Sequence, residues 1–190
     1  MDRDRFWHLI DAARKKALKE DGTWETMAKP LTASLSALET EEILTWSHIF
    51  HAYQKISYKP KLWAAAYIME GGCSDDGFDY FRAWLTAQGK TVFLGALADP
   101  DSLAKICKVD DDSGFEFEDM LAVARDAWCA RTGKPRDQFW DAEEKYTLSE
   151  NIRQDIVREI SYAKDIDCEW DEDDEDLEKL LPRLYRKFAE

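Results

Sequence analysis

The residues best suited to chemistry cluster just after a double glycine. Cys73, Ser74, Asp75, Asp76, Asp79 and Arg82 follow Gly71-Gly72 directly. Placed on a helix at about 100° per residue, Asp75, Asp79 and Arg82 share one side with Thr86, while Phe78, Phe81 and Leu85 line the other and widen it through Trp84 to Tyr80. Several carboxylates on one face are what a hard cation such as Mg²⁺ or Ca²⁺ requires. With Asp99 and Asp101 as further acids, this set would make a metal-dependent enzyme or sensor.

The same residues have a structural reading. Ser74 is placed to cap a helix, and Asp75 and Asp76 would then stand in its first turn, where each negative charge complements the helix dipole by roughly 0.3–1 kcal/mol. Asp79 and Arg82 are spaced as an ordinary pair three residues apart. Two first-turn aspartates would also repel a phosphate from this helix start. Cys73 has adjacent aspartates opposing thiolate formation and no helix-borne histidine nearby to act as base, so it reads as a structural thiol.

Other candidate ligands are sparse. His48 and His51 are neighbours three residues apart on one helix but lack a third ligand in the sequence around them. The four cysteines, Cys73, Cys107, Cys129 and Cys168, show no C-x-x-C spacing, which leaves no zinc motif, and no cofactor is expected. Asp110-Asp111-Asp112 lacks the alternating ligands and terminal glutamate of an EF-hand.

The elements that must hold these residues are helices throughout. A first helix is expected from Asp2 or Asp4 to about Glu20, burying Phe6, Ile10, Ala13 and Ala17, with Gly22 breaking it. A second, from Trp24 to Leu38, is weakened by Pro30. Thr40-Glu41-Glu42 opens a third with Ile43, Trp46, Phe50 and Tyr53 inward. Lys59-Pro60 begins an almost wholly apolar helix that ends at Gly71, and the Ser74 helix runs to Gln88-Gly89. A short helix covers Lys90 to Ala98, and Asp99-Pro100-Asp101 starts another anchored by Leu103 and Ile106. Ser113 and Glu116 form a capping box for a helix that ends before Gly133, with Phe117, Leu121, Ala124 and Trp128 inward.

The blocks Phe6-Trp7-x-Leu9-Ile10-Asp11, Glu41-Glu42-Ile43, Leu62-Trp63-x-Ala65-Ala66-Tyr67, Gly71 to Leu85 and Asp99-Pro100-Asp101-Ser102-Leu103 together resemble the bacterial domain-of-unknown-function family numbered 4240. The resemblance covers about residues 3–132. In some bacteria that domain is joined to a WGR domain in proteins labelled molybdate-metabolism regulators; the label belongs to those multidomain relatives, and the resemblance implies no activity that transfers residue by residue.

Residues 133–190 depart from that pattern and are expected to form a helical extension packing on the core. Thr147-x-x-Glu150 is a capping box before Ile152, Ile156 and Ile160. Ten of the fourteen residues from Asp165 to Glu178 are acidic, and Lys179, Arg183, Arg186 and Lys187 follow. Acids first and bases last suits one helix dipole, with Leu177, Leu181, Leu184 and Phe188 inward and Pro182 as a kink.

The expected architecture is therefore all-α: a compact multi-helix domain with an acidic C-terminal helical extension. Forty acidic against 26 basic residues give a net charge of −14, which repels nucleic-acid phosphates and anionic lipids. No apolar run reaches membrane-spanning length and no signal peptide is evident at Met1-Asp2-Arg3-Asp4, so a cytoplasmic protein with reduced thiols is expected. The charge points to a non-catalytic interaction protein, immunity- or regulator-like, whose acidic surface at Asp171, Glu172, Asp173, Asp174, Glu175 and Asp176 takes a basic protein partner. The metal-dependent reading of the Cys73 to Arg82 cluster and a nucleic-acid mimic remain as alternatives.

Overall fold

A computed structural model describes residues 1–21, 23, 25–106 and 114–189. In chain order the α-helices are α1 (Arg3–Glu20), α2 (Ala28–Ser36), α3 (Thr40–Ile56), α4 (Pro60–Glu70), α5 (Asp75–Ala87), α6 (Lys90–Ala98), α7 (Val123–Thr132), α8 (Arg136–Lys145), α9 (Glu150–Glu159), α10 (Asp174–Leu180) and α11 (Pro182–Phe188). Short 3-10 segments cover Glu25–Met27, Pro100–Lys105 and Glu118–Ala122, and the described residues contain no strand. None of these helices is long and apolar enough to cross a membrane. The chain makes two compact units, Met1–Tyr53 with Phe117–Arg158 and Gln54–Glu116 with Glu159–Glu190. The residues after 132 are thus shared between both units.

In the first unit Asp2 caps α1 by accepting from the Arg5 amide, and Phe6, Trp7, Ile10, Ala13 and Ala17 are buried. Phe6 packs on Trp46 and Tyr53 of α3 at 5.1 and 5.4 Å between ring centres, and the Trp7 indole N–H donates to the Tyr53 hydroxyl at 3.1 Å. A buried aromatic of this kind needs such a partner for its polar tip. Packing of α2 against α7, and of α7 against α8, completes the unit.

The expected helix from Trp24 to Leu38 is shorter, because a 3-10 turn takes Glu25–Met27 and α2 begins at Ala28. Pro30 then falls in the first turn, where its missing N–H costs nothing. The helix expected to start beside Glu116 starts later: residues 114–117 are non-helical, and the segment after Phe117 begins as 3-10 before becoming α7 at Val123, while Ser113 of the expected capping box lies outside the described residues. The altered period turns Leu121 outward, 37% exposed, while Phe117, Ala124 and Trp128 are buried. Sequence patterning gave no sign of α8, whose Phe139 packs on Trp128 at 5.9 Å. The break at Gly22, the start at Trp24, Cys107 and the aspartates 110–112 also lie outside the described residues.

In the second unit α4 is buried on most sides, with Leu62, Ala64, Ala65, Ala66, Ile68 and Met69 inside. Gly71 ends it in the left-handed conformation (φ 68°), which costs a glycine nothing. Ser74 then accepts from the Gly77 amide to start α5 at 3.1 Å. Both behave as the sequence implies.

The acidic run is not one helix. Residues 160–173 are non-helical and are tied to α4 by the Lys61 amide donating to Ile166 O at 3.1 Å and by the pairs Lys61–Asp165 and Lys59–Asp167 at 2.7 and 2.8 Å. Asp173 caps α10 by accepting from the Asp176 amide. At Pro182 the chain breaks rather than kinks, and α11 begins there. α9 starts at Glu150, so Ser149 and not Thr147 precedes its first turn.

Candidate functional site

The face of α5 expected to be a charged front is divided: Asp75 is exposed and Asp79 half-buried, whereas its C-terminal half is interior. Arg82 is 4% exposed and Thr86 fully buried. The reason is the end of α3, whose last carbonyls have no intrahelical donor. The Arg82 guanidinium donates to Gln54 O there, to Phe78 O at 3.2 Å and to the Asp79 carboxylate. Gln54 Nε2 donates to Thr86 Oγ1 at 3.2 Å, and that hydroxyl donates to Arg82 O at 2.9 Å. The guanidinium lies 4.8 Å over the Tyr58 ring and 4.9 Å over Phe78. Burial lowers its pKa to about 10, which leaves it charged at neutral pH.

The other residues of the set are held apart by local duties. The Tyr58 hydroxyl donates to Asp75 Oδ1 at 3.1 Å, and Asp75 and Asp76 are exposed in the first turn of α5. Cys73 is half-buried, and burial followed by the Glu116 and Glu70 carboxylates pushes its thiol up to about 11. A thiol held there is protonated at neutral pH and a poor nucleophile. Among the described residues no group of three or more His, Cys, Asp and Glu side chains is placed to hold a metal ion.

Asp99 and Asp101 serve α11. Asp101 is 6% exposed and accepts from the amides of Arg183 at 3.1 Å and Leu184 at 2.8 Å and from Arg183 Nε at 2.8 Å, while Asp99 accepts from Arg183 Nη2. The carboxylate thus supplies a cap from outside the helix. Asp99 does not cap an α-helix of its own, since Pro100–Lys105 is 3-10, and Ile106 stays 46% exposed instead of anchoring it.

A polar cluster that sequence reasoning missed joins α3 to the end of α8 within the first unit. Glu143 accepts from Ser47 Oγ and lies 3.4 Å from His51 Nδ1, while His48 Nε2 meets Glu143 O at 3.1 Å. Thr45 and Tyr146 share a hydroxyl hydrogen bond of 2.6 Å. Burial lowers the His51 pKa and Glu143 opposes that shift. In an activated-serine site the histidine stands between serine and carboxylate. Here the carboxylate stands between them and Ser47 is 2% exposed, so the cluster ties two helices. The spacing of His48 and His51 was visible in sequence; Glu143, about a hundred residues on, was not.

The acids 171–176 meet at the start of α10. Asp171 to Glu175 are exposed and Asp176 is half-buried, its carboxylate accepting from the Asp171 amide at 3.1 Å. Glu175 pairs with Lys179 at 3.3 Å, and Glu172 accepts from the Tyr67 hydroxyl at 3.2 Å. A cleft of about 680 Å³ lies in the first unit between α1 and α2 and carries mixed charge from Lys16, Glu20, Asp21, Lys29 and Asp119.

The model of one protein family, described as a protein of unknown function (DUF4240), matches residues 1–129. No curated protein and no solved structure matches the chain.

Proposed function

Since the chain belongs to that family of unknown function, DUF4240, we propose from its own residues that it is a non-catalytic interaction protein that binds a basic protein partner and neutralises or regulates it. The observation that carries this reading is the state of the C-terminal acids. Asp165 and Asp167 have lysines of the same unit beside them, whereas Asp171, Glu172 and Asp174 are exposed and, among the described residues, pair with no cation. Unneutralised surface carboxylates in a chain of net charge −14 attract a basic protein over a Debye length and set its orientation. The set from Cys73 to Arg82 supports it from the other side, because Ser74 caps α5, Asp75 accepts from Tyr58, Asp79 pairs with Arg82 and the Cys73 thiol is protonated, which leaves only Asp76 to solvent.

The test is affinity capture at low and high ionic strength with the wild type and with a variant carrying Asp171→Asn, Glu172→Gln, Asp174→Asn and Glu175→Gln. A basic protein held by the wild type, released by salt and not held by the variant is the expected result. A wild type that retains no protein at low salt, or a variant that retains the same partner equally, overturns it.

A further inference from the structure

Beside the exposed acids, in the second unit, lies a cleft of about 440 Å³ lined by Trp63, Cys73, Trp170, Asp171 and Glu172. The lining joins aromatic rings to exposed carboxylates. They suit a cation, which gains from both. Resting on the partner-binding reading above, we infer that this cleft seats one arginine side chain of the basic partner.

The lining is organised before anything binds. Trp63 is stacked on Phe78 at 5.0 Å with 11° between ring planes, and its indole N–H donates to Cys73 O at 2.9 Å, which fixes the ring. Trp170 is held edge-on by Tyr67 at 5.5 Å, and the Tyr67 hydroxyl orients the Glu172 carboxylate. Both tryptophans keep part of their surface open. Groups that are already ordered lose little freedom on binding.

The chemistry selects among cations. A guanidinium is planar and weakly hydrated, stacks on an indole face and donates in a fork to a carboxylate, so it uses the rings and the acids together. A lysine ammonium is a strongly hydrated point charge and gains chiefly from the acids. The lysines tied to the same segment, Lys59 and Lys61, are engaged by Asp167 and Asp165, and among the described residues no cation of the chain lies over the Trp63 or Trp170 ring.

Fluorescence anisotropy of labelled octa-arginine and octa-lysine against the full chain tests the assignment. The wild type binds octa-arginine more tightly than octa-lysine. Trp170→Ala weakens octa-arginine roughly five- to tenfold, with a much smaller effect on octa-lysine, as loss of one cation–π contact implies. Glu172→Gln weakens both peptides, and Glu144→Gln, an exposed acid in the first unit, serves as the matched charge control and weakens neither by more than about twofold. If Trp170→Ala does not fold, Trp170→Leu, which keeps apolar volume and removes the indole face, carries the same prediction. Equal binding of the two peptides, unchanged by Trp170→Ala, overturns the cleft while leaving the general partner reading standing on its capture test. A wild type that binds neither peptide at low salt overturns both.

Discussion

Removing the Arg82 guanidinium discriminates a structural residue from a functional one. Arg82→Met keeps most of the side-chain volume and removes every donor. Its carbonyl partner Gln54 O retains the Ser57 hydroxyl at 3.2 Å, and Asp79, whose side chain is 51% exposed, can turn to water. What is lost is the net worth of charge-assisted hydrogen bonds, offset by the desolvation no longer needed to bury a cation, so the cost is about 1–2 kcal/mol. Arg82→Ala adds an unfilled volume under Tyr58 and Phe78 and costs about 3–4 kcal/mol. For a chain of this size those losses lower the melting temperature by about 2–8 °C and about 6–16 °C. Thermal unfolding followed by circular dichroism, with partner capture on the same samples, reads both quantities. An alanine variant that melts with the wild type and fails to hold the partner would refute the reasoning, since Arg82 would then be spent on a ligand.

Other perturbations test the remaining assignments. Asp101→Ala strips the cap from α11 and leaves two amides without their acceptor, costing about 2–4 kcal/mol, and hydrogen exchange quickens at Leu184 but not in α1. Cys73, raised from the ordinary 9.0 to about 11, alkylates more slowly at neutral pH in the folded protein than in urea. Because its folded pKa is the higher one, the stability it contributes is complete below the ordinary value and is lost as pH rises toward about 11. Cys73→Ser flattens that part of the alkaline limb. His51 titrates below 6.5, so its contribution is complete above that value and is lost as pH falls through the lowered one. With its side chain 52% exposed the effect on stability is small, and an NMR titration midpoint above 6.5 would show that Glu143 outweighs burial.

Local signals in the sequence were read well where the determining groups lie close together. Gly71, Ser74 and the limits of α5 and α6 follow from glycine conformation and capping within a few residues. Burial of Arg82 was not legible, because it is decided by Gln54 on a different helix, and a wheel drawn on α5 alone assigns its polar residues to solvent. Asp101 was legible as a helix-start acid, but the helix it caps begins some eighty residues later. The same holds for Glu143 beside Ser47 and His51. Pro30 and Pro182 were recognised as interruptions, whereas the form each took depended on where the neighbouring 3-10 turn or helix could begin.

Two charge-neutralised variants measured against the captured partner, by titration calorimetry at low salt, test the account most directly. The account predicts that Asp75→Asn with Asp76→Asn keeps the wild-type affinity, and that Asp171→Asn with Glu172→Gln weakens it by roughly tenfold or more. The reverse ranking would contradict it: the aspartates after the double glycine would be the binding site, and the C-terminal acids would only solvate the chain.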